Sequence, residues 1–221
     1  MMNQPYDVFN EITATGTYSK AWEIMKKFFP DLLLIVILLI LFQLPASSFQ
    51  EEEGGYRIFG VFYYVFILAP VKFALAYSFL FVARQNNFKI EPAYGMLKKN
   101  YFNILLASIL SDVIIGIGFV LLIVPGIIFA VRLAFVPYLA TEKEMEPVEA
   151  IKKSWEMTRP YAWRIFFMGV LAIPILIAGF ILIGVGVIVS VMWIGAAFAM
   201  LYHLVSKEGE NQTGEQVVQE G

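Results

Sequence analysis

Cysteine is absent from this chain of 221 residues, and histidine occurs once, at His203. The first absence excludes disulfides, thiolate metal sites and cysteine nucleophiles. Together the two leave a transition-metal centre without its usual sulfur and nitrogen ligands. Charge is scarce as well: 15% of residues are Asp, Glu, Lys or Arg, against about a quarter in a soluble domain. There is no glycine-rich phosphate loop. Ser108, Ser111 and Ser190 lie in apolar stretches with no adjacent base, where such serines commonly bond back to their own helix. Neither an enzyme active site nor a cofactor is expected, and no nucleic-acid partner.

Apolar residues fill the space instead, at 59% of the chain, and the mean hydropathy is +0.72. A water-soluble fold of this length has too little interior to hide that much apolar surface. Lipid removes the difficulty, and in lipid the backbone must satisfy its own polar groups. The apolar runs are continuous rather than alternating, which favours helices over a barrel. A polar stretch from Met1 to Lys27 precedes the first run with no small-residue cleavage site after it, so that run is expected to remain as an anchor.

Six runs can be marked. The first extends from about Phe28 to Leu44 and the second from Ile58 to Ala83, the latter tilted or kinked at Pro70. Tyr101 to Ala140 is too long for one span, and Pro125-Gly126 offers a turn in its middle. Ala162 to Val205 repeats that arrangement, with Gly184-Val185-Gly186 as the expected turn. Basic residues set the orientation. Placing both termini, the Arg84–Asn100 loop and the Thr141–Arg164 loop on one side puts thirteen lysines and arginines there, against Arg57 alone opposite, beside Glu51-Glu52-Glu53. The lysine-rich side should face the cytoplasm of a cell whose inner membrane holds the protein.

Three segments resemble one another: Thr17–Phe29, Glu91–Phe102 and Glu146–Phe166. The first two align without a gap, Ala21-Trp22 on Ala93-Tyr94 and Lys26-Lys27 on Lys98-Lys99. In the first, Tyr18, Ala21, Trp22, Met25, Phe28 and Phe29 recur at helical spacing opposite charged residues. In the third, Val148, Ile151, Trp155 and Ala162 oppose Glu149, Lys152, Lys153 and Glu156. Pro92 and Pro147 suit a first helical position.

The expected fold class is therefore an all-α integral membrane protein of about six transmembrane helices. They form three hairpins, each preceded by an amphipathic interfacial helix on the cytoplasmic side. The repeats cover about 17–83, 91–140 and 146–205 of a single polytopic domain, and 206–221 reads as a polar disordered tail. Trp22, Lys26, Lys27, Tyr94, Lys98, Lys99, Lys152, Lys153 and Trp155 would meet lipid headgroups.

Lys72, Asp112 and Arg132 are the ionisable residues away from the ends of the runs, where an unpaired charge is costly. At about 1.5 Å per residue, Asp112 lies roughly 16 Å from the cytoplasmic end of its span, and Arg132 roughly 9 Å deep from the other side. The two readings are a polar site or proton-linked pathway, and an Asp112–Arg132 pair that locks a hairpin. His203 suits an interfacial hydrogen bond. The cluster Glu142, Glu144, Glu146 and Glu149 reads as a solvated face, and Gly116, Gly118, Gly179, Gly184, Gly186 and Gly195 as places where helices approach closely.

The stretch LIVPGIIFAVRLAFVPYLA (Leu122–Ala140), followed by EAIKKSWEMTRPYAWRIF (Glu149–Phe166), resembles a group of bacterial and archaeal multipass proteins. The group includes the YciC-type inner-membrane proteins and the membrane domain fused to some glycerophosphodiester phosphodiesterases. The resemblance rests on Pro125-Gly126, Arg132, Pro137-Tyr138 and Ser154-Trp155. It implies six helices and association with lipid, without assigning an activity. The expected function is non-enzymatic: organising, accommodating or moving lipid or another amphiphile, with a membrane-protein partner or as a homo-oligomer. A small transporter or channel using Lys72, Asp112 and Arg132 is the alternative.

Overall fold

Thr13 opens the first helix by accepting the Gly16 N–H at its side-chain oxygen (3.1 Å), which satisfies a donor that the first turn would leave unbonded. The computed structural model describes residues 13–48, 55–181 and 185–220, and its regular structure there is helical, with no strand. In chain order the helices are α1 (Ala14–Lys27), α2 (Phe29–Ser48), α3 (Gly55–Tyr63), a π-helical turn (Tyr64–Leu68), α4 (Ala69–Ala83), α5 (Ile90–Leu121), α6 (Ile123–Arg132), α7 (Val136–Glu142), α8 (Pro147–Thr158), α9 (Ala162–Ile181) and α10 (Val185–Glu220). Five stretches are long and apolar enough to cross a membrane: Ile58–Ala83, Ile90–Leu121, Ile123–Glu142, Ala162–Ile181 and Gly186–Glu210. A sixth is available if α1 and α2 count as one broken span, bent by 98°.

The core forms where α10 meets α1, α2 and α4, and where α7 lies between α4 and α5. Leu32, Ile35, Leu80, Phe135, Leu201 and Tyr202 are fully buried there. Helix α1 turns Tyr18, Ala21, Ile24, Met25 and Phe28 into this core and leaves Lys26 and Lys27 exposed. Trp22 and Phe29, expected on the same apolar face, are exposed at about two-fifths of their surface.

The turn of the α5–α6 hairpin comes three residues before the prolyl-glycyl pair. Leu122 alone is extended (φ −165°, ψ 155°), while Pro125 and Gly126 lie in the first turn of α6. Proline is tolerated there because its missing N–H would have no helical partner. Gly126 serves close approach: a Cβ on it would stand 2.5 Å from the Phe119 ring, and one on Gly118 would stand 2.9 Å from Gly126 Cα. In the α9–α10 connection Gly184 lies outside the described residues, and Gly186 is already helical.

Pro70 stands inside a continuous helical stretch, Ile58–Ala83. It follows the π-helical turn, at the start of α4. In an α-helix the N–H of residue 70 would bond the carbonyl of residue 66. Proline has none, and the Phe66 carbonyl instead accepts the Tyr101 hydroxyl (2.5 Å). Within α5 the backbone departs from helical angles at Asn100 (φ −124°, ψ 27°), which separates the lysine-bearing Ile90–Lys99 portion from the apolar remainder. At the C-terminus, the stretch expected to be a disordered tail continues α10 as helix to Glu220. Glu208 accepts the Tyr161 hydroxyl (2.5 Å) and Glu210 pairs with Lys143 (3.2 Å), ties that hold the start of this extension.

Candidate functional site

Three clusters of polar side chains, and grooves between the helices, are found among the described residues. The first cluster lies on the π-helical turn. Tyr64 donates its hydroxyl to Asp112 Oδ2 on α5 (3.1 Å), and Lys72 Nζ of α4 stands 5.0 Å from the centre of the same ring. All three side chains are exposed. Two of the three candidates Lys72, Asp112 and Arg132 are therefore gathered, with a tyrosine between them that the sequence did not single out. A π-helical turn is a recurrent mark of functional positions, but such a turn leaves no distinct pattern in the residue order.

Arg132 is not part of that group. Among the described residues no ion pair joins it to Asp112, because α6 ends at Arg132 and the side chain turns toward α8 instead. Its guanidinium lies 5.5 Å from the centre of the Trp155 ring. The break between α6 and α7 is sutured by the residue next to that tryptophan. Ser154 donates to the Arg132 carbonyl (2.7 Å) and accepts the Phe135 N–H (3.2 Å). Thr158 also donates to the Arg132 carbonyl (3.2 Å). Helix α8 accordingly buries Ala150, Ser154 and Thr158, while Val148 and Trp155 of its expected apolar face point outward. Arg132 meets here the adjacent pair Ser154-Trp155, 22 residues further along the chain.

The third cluster ties helix ends together. Arg84, which closes α4, forms an ion pair with Glu142 at the end of α7. Tyr202 of α10 donates to the other Glu142 oxygen (2.7 Å), and Arg84 Nε donates to His203 Nδ1 (3.2 Å). Tyr138 stacks on Tyr202 with ring centres 4.8 Å apart. Glu142 is thus no part of a solvated face; its side chain is 13% exposed. Its neighbour Glu144 does lie at the surface and pairs with Lys99 (2.7 Å). Nearby, burial first and the Glu208 hydrogen bond second raise the Tyr161 phenol above its ordinary value near 10.

Most of the lysines expected at headgroups are exposed on one helix face each. Lys27 reaches Gln85 (3.1 Å), Lys153 stands 3.9 Å from Glu156, and Lys26, Lys98 and Lys152 are exposed, as is Tyr94. Trp22 forms the roof of a groove of about 540 Å³ between α9 and α10, with Pro174, Ile175, Ala178, Val189 and Trp193 among its walls. Trp193 fixes that roof: its indole N–H donates to the Tyr18 carbonyl (2.8 Å), and its ring lies 5.0 Å from that of Trp22. A second groove, of about 650 Å³, has Leu34, Leu38 and Phe88 as apolar wall and Lys89 and Glu91 at its lip. Asp31 holds that lip by accepting the Phe88 N–H (2.9 Å). Among the described residues no three His, Asp or Glu side chains are gathered to hold a metal ion. Compared with protein-family descriptions, curated proteins and solved structures, the chain matches none.

Proposed function

We propose that this protein is a non-enzymatic multipass membrane protein that accommodates and organises lipid or another amphiphile, in the inner membrane with both termini in the cytoplasm. The observation that carries the reading is the Trp22 groove. It is apolar along its length, sized for an acyl chain, and roofed by a helix that also bears exposed lysines. A chain bound between α9 and α10 would place its headgroup toward Lys26, one turn beyond Trp22 on the same side of α1. The second groove has the same amphiphilic character, with an apolar wall and a charged lip.

In this reading α1, the Ile90–Lys99 portion of α5, and α8 are interfacial helices, and each leads into a hairpin. Kinship with the YciC-type proteins is part of this proposal and rests on the sequence resemblance at Arg132, Ser154 and Trp155. The test uses full-length protein with Trp155→Phe and Trp163→Phe, reconstituted with lipid brominated on its acyl chains. Quenching of the remaining Trp22 and Trp193 is expected, together with lipid that co-purifies through gentle detergent. Ala178→Phe, which fills the groove, should weaken both. Quenching unchanged by that substitution, with no co-purifying lipid, defeats the reading.

The Lys72–Tyr64–Asp112 cluster favours a second reading, a small transporter or channel. It requires flux in proteoliposomes that falls with Asp112→Asn.

A further inference from the structure

Lys72 lies near the middle of the span Ile58–Ala83, and Asp112 near the middle of the apolar part of α5, which runs from Asn100 to Leu121. Lys72 precedes Arg84 by twelve residues and Asp112 follows Asn100 by twelve, roughly 18 Å in each case at helical rise. Both side chains point outward, among exposed Val61, Ile67 and Val113. Among the described residues each has the same neighbour, the Tyr64 ring and hydroxyl, and they form no ion pair with one another. Opposite charges facing hydrocarbon at that depth call for partners from outside the chain. A lipid headgroup is poorly placed to supply them, because it would have to leave the interface and descend along both helices.

Gly116 adds an independent observation. It sits one turn beyond Asp112 on the same exposed face, and a Cβ built on it meets nothing within 4 Å. Its neighbour Gly118 is different: there a Cβ would collide with Gly126 and Phe129 of the hairpin partner. Packing within the chain accounts for Gly118 and not for Gly116. Small residues on an outward face of a membrane helix let a second backbone come close.

We propose that this face is the interface of a homodimer. Lys72 of each copy pairs with Asp112 of the other across a two-fold axis, and Gly116 sets the distance of approach. Two-fold symmetry brings each member of a complementary pair opposite its counterpart, so one chain carries everything both sides need. Tyr64 orients the carboxylate from within its own chain.

Dimerisation of the full chain in lipid nanodiscs and by native mass spectrometry tests this. Wild type should be dimeric. Lys72→Asp and Asp112→Lys should each raise the dissociation midpoint by about tenfold or more. Mixed together, these two variants should form a heterodimer, because one copy then offers two acids and the other two amines. That result cannot arise from repair inside a single chain. Gly116→Leu should keep the wild-type helical signal and thermal midpoint while losing the dimer, and it decides the matter if the charge variants do not fold. The proposal is overturned by a monomeric wild type, by a mixed pair no better associated than either variant alone, or by a Gly116→Leu dimer as tight as wild type. A monomer that retains zwitterionic lipid and loses it on Asp112→Asn would assign the face to a headgroup instead.

Discussion

Arg84 and Glu142 meet directly at the ends of two helices, whereas Lys72 and Asp112 look outward with a tyrosine ring between them. The first pair is anchored on every side. Tyr202 and His203 of α10 bond to it, so four side chains hold α4, α7 and α10 in register. The second pair binds little of its own chain. The contrast separates charge used for the fold from charge left for something else: partner number and burial decide, not depth in an apolar run. Removing a member of the first group strands a half-buried opposite charge, while neutralising the second relieves an exposed one.

The largest effect is expected from Glu142→Ala, which deprives Arg84 of its ion pair and Tyr202 of its acceptor. Thermal unfolding in detergent should show a loss of roughly 3 kcal/mol. Glu142→Gln keeps an acceptor for Tyr202 and should lose less. An unchanged midpoint for Glu142→Ala would erase the distinction between the two pairs. Next comes Ser154→Ala, which leaves the Phe135 amide without its acceptor and should lower stability by about 1–3 kcal/mol. Thr158 still donates to the Arg132 carbonyl, so a double substitution with Thr158→Val should exceed either alone. The smallest effect is expected from Asp112→Asn, within about 1 kcal/mol of wild type in the same melt. A large loss there would move Asp112 into the structural class.

The helical and apolar character of the long segments, and five of the six expected spans, were legible in the residue order, because backbone groups in hydrocarbon leave few alternatives to a continuous helix. Of the six residues read at helical spacing in the first segment, Tyr18, Ala21, Met25 and Phe28 are buried and Trp22 and Phe29 are exposed. The same spacing marked Val148 and Trp155 as the apolar face of α8, and both are exposed; it did not mark the side facing the protein, which is set by Ser154, whose hydroxyl mends the break after Arg132. Spacing reports apolar faces, and it carries no information about which backbone groups elsewhere lack partners. The same limit hid Glu142, whose partners lie 58 and 60 residues away at Arg84 and Tyr202. Pairing Asp112 with Arg132 by depth alone also failed, since depth fixes a level along the helix axis and not a direction around it.

Between Asp112 and Arg132 no side chain carries a polar atom, and the bend of that hairpin is fully outward, Val120 reaching 87% exposure. Transmembrane segments are ordinarily pinned at two levels, by aromatic or charged residues at each boundary. This one is pinned at one level only, by the lysines and the Asn100 break at its far end. In a thinner or thicker bilayer such an element has no second fixed point to drag against. It can ride deeper or shallower with its greasy apex free, so any thickness mismatch is felt by the belt of interlocked side chains at the opposite pole.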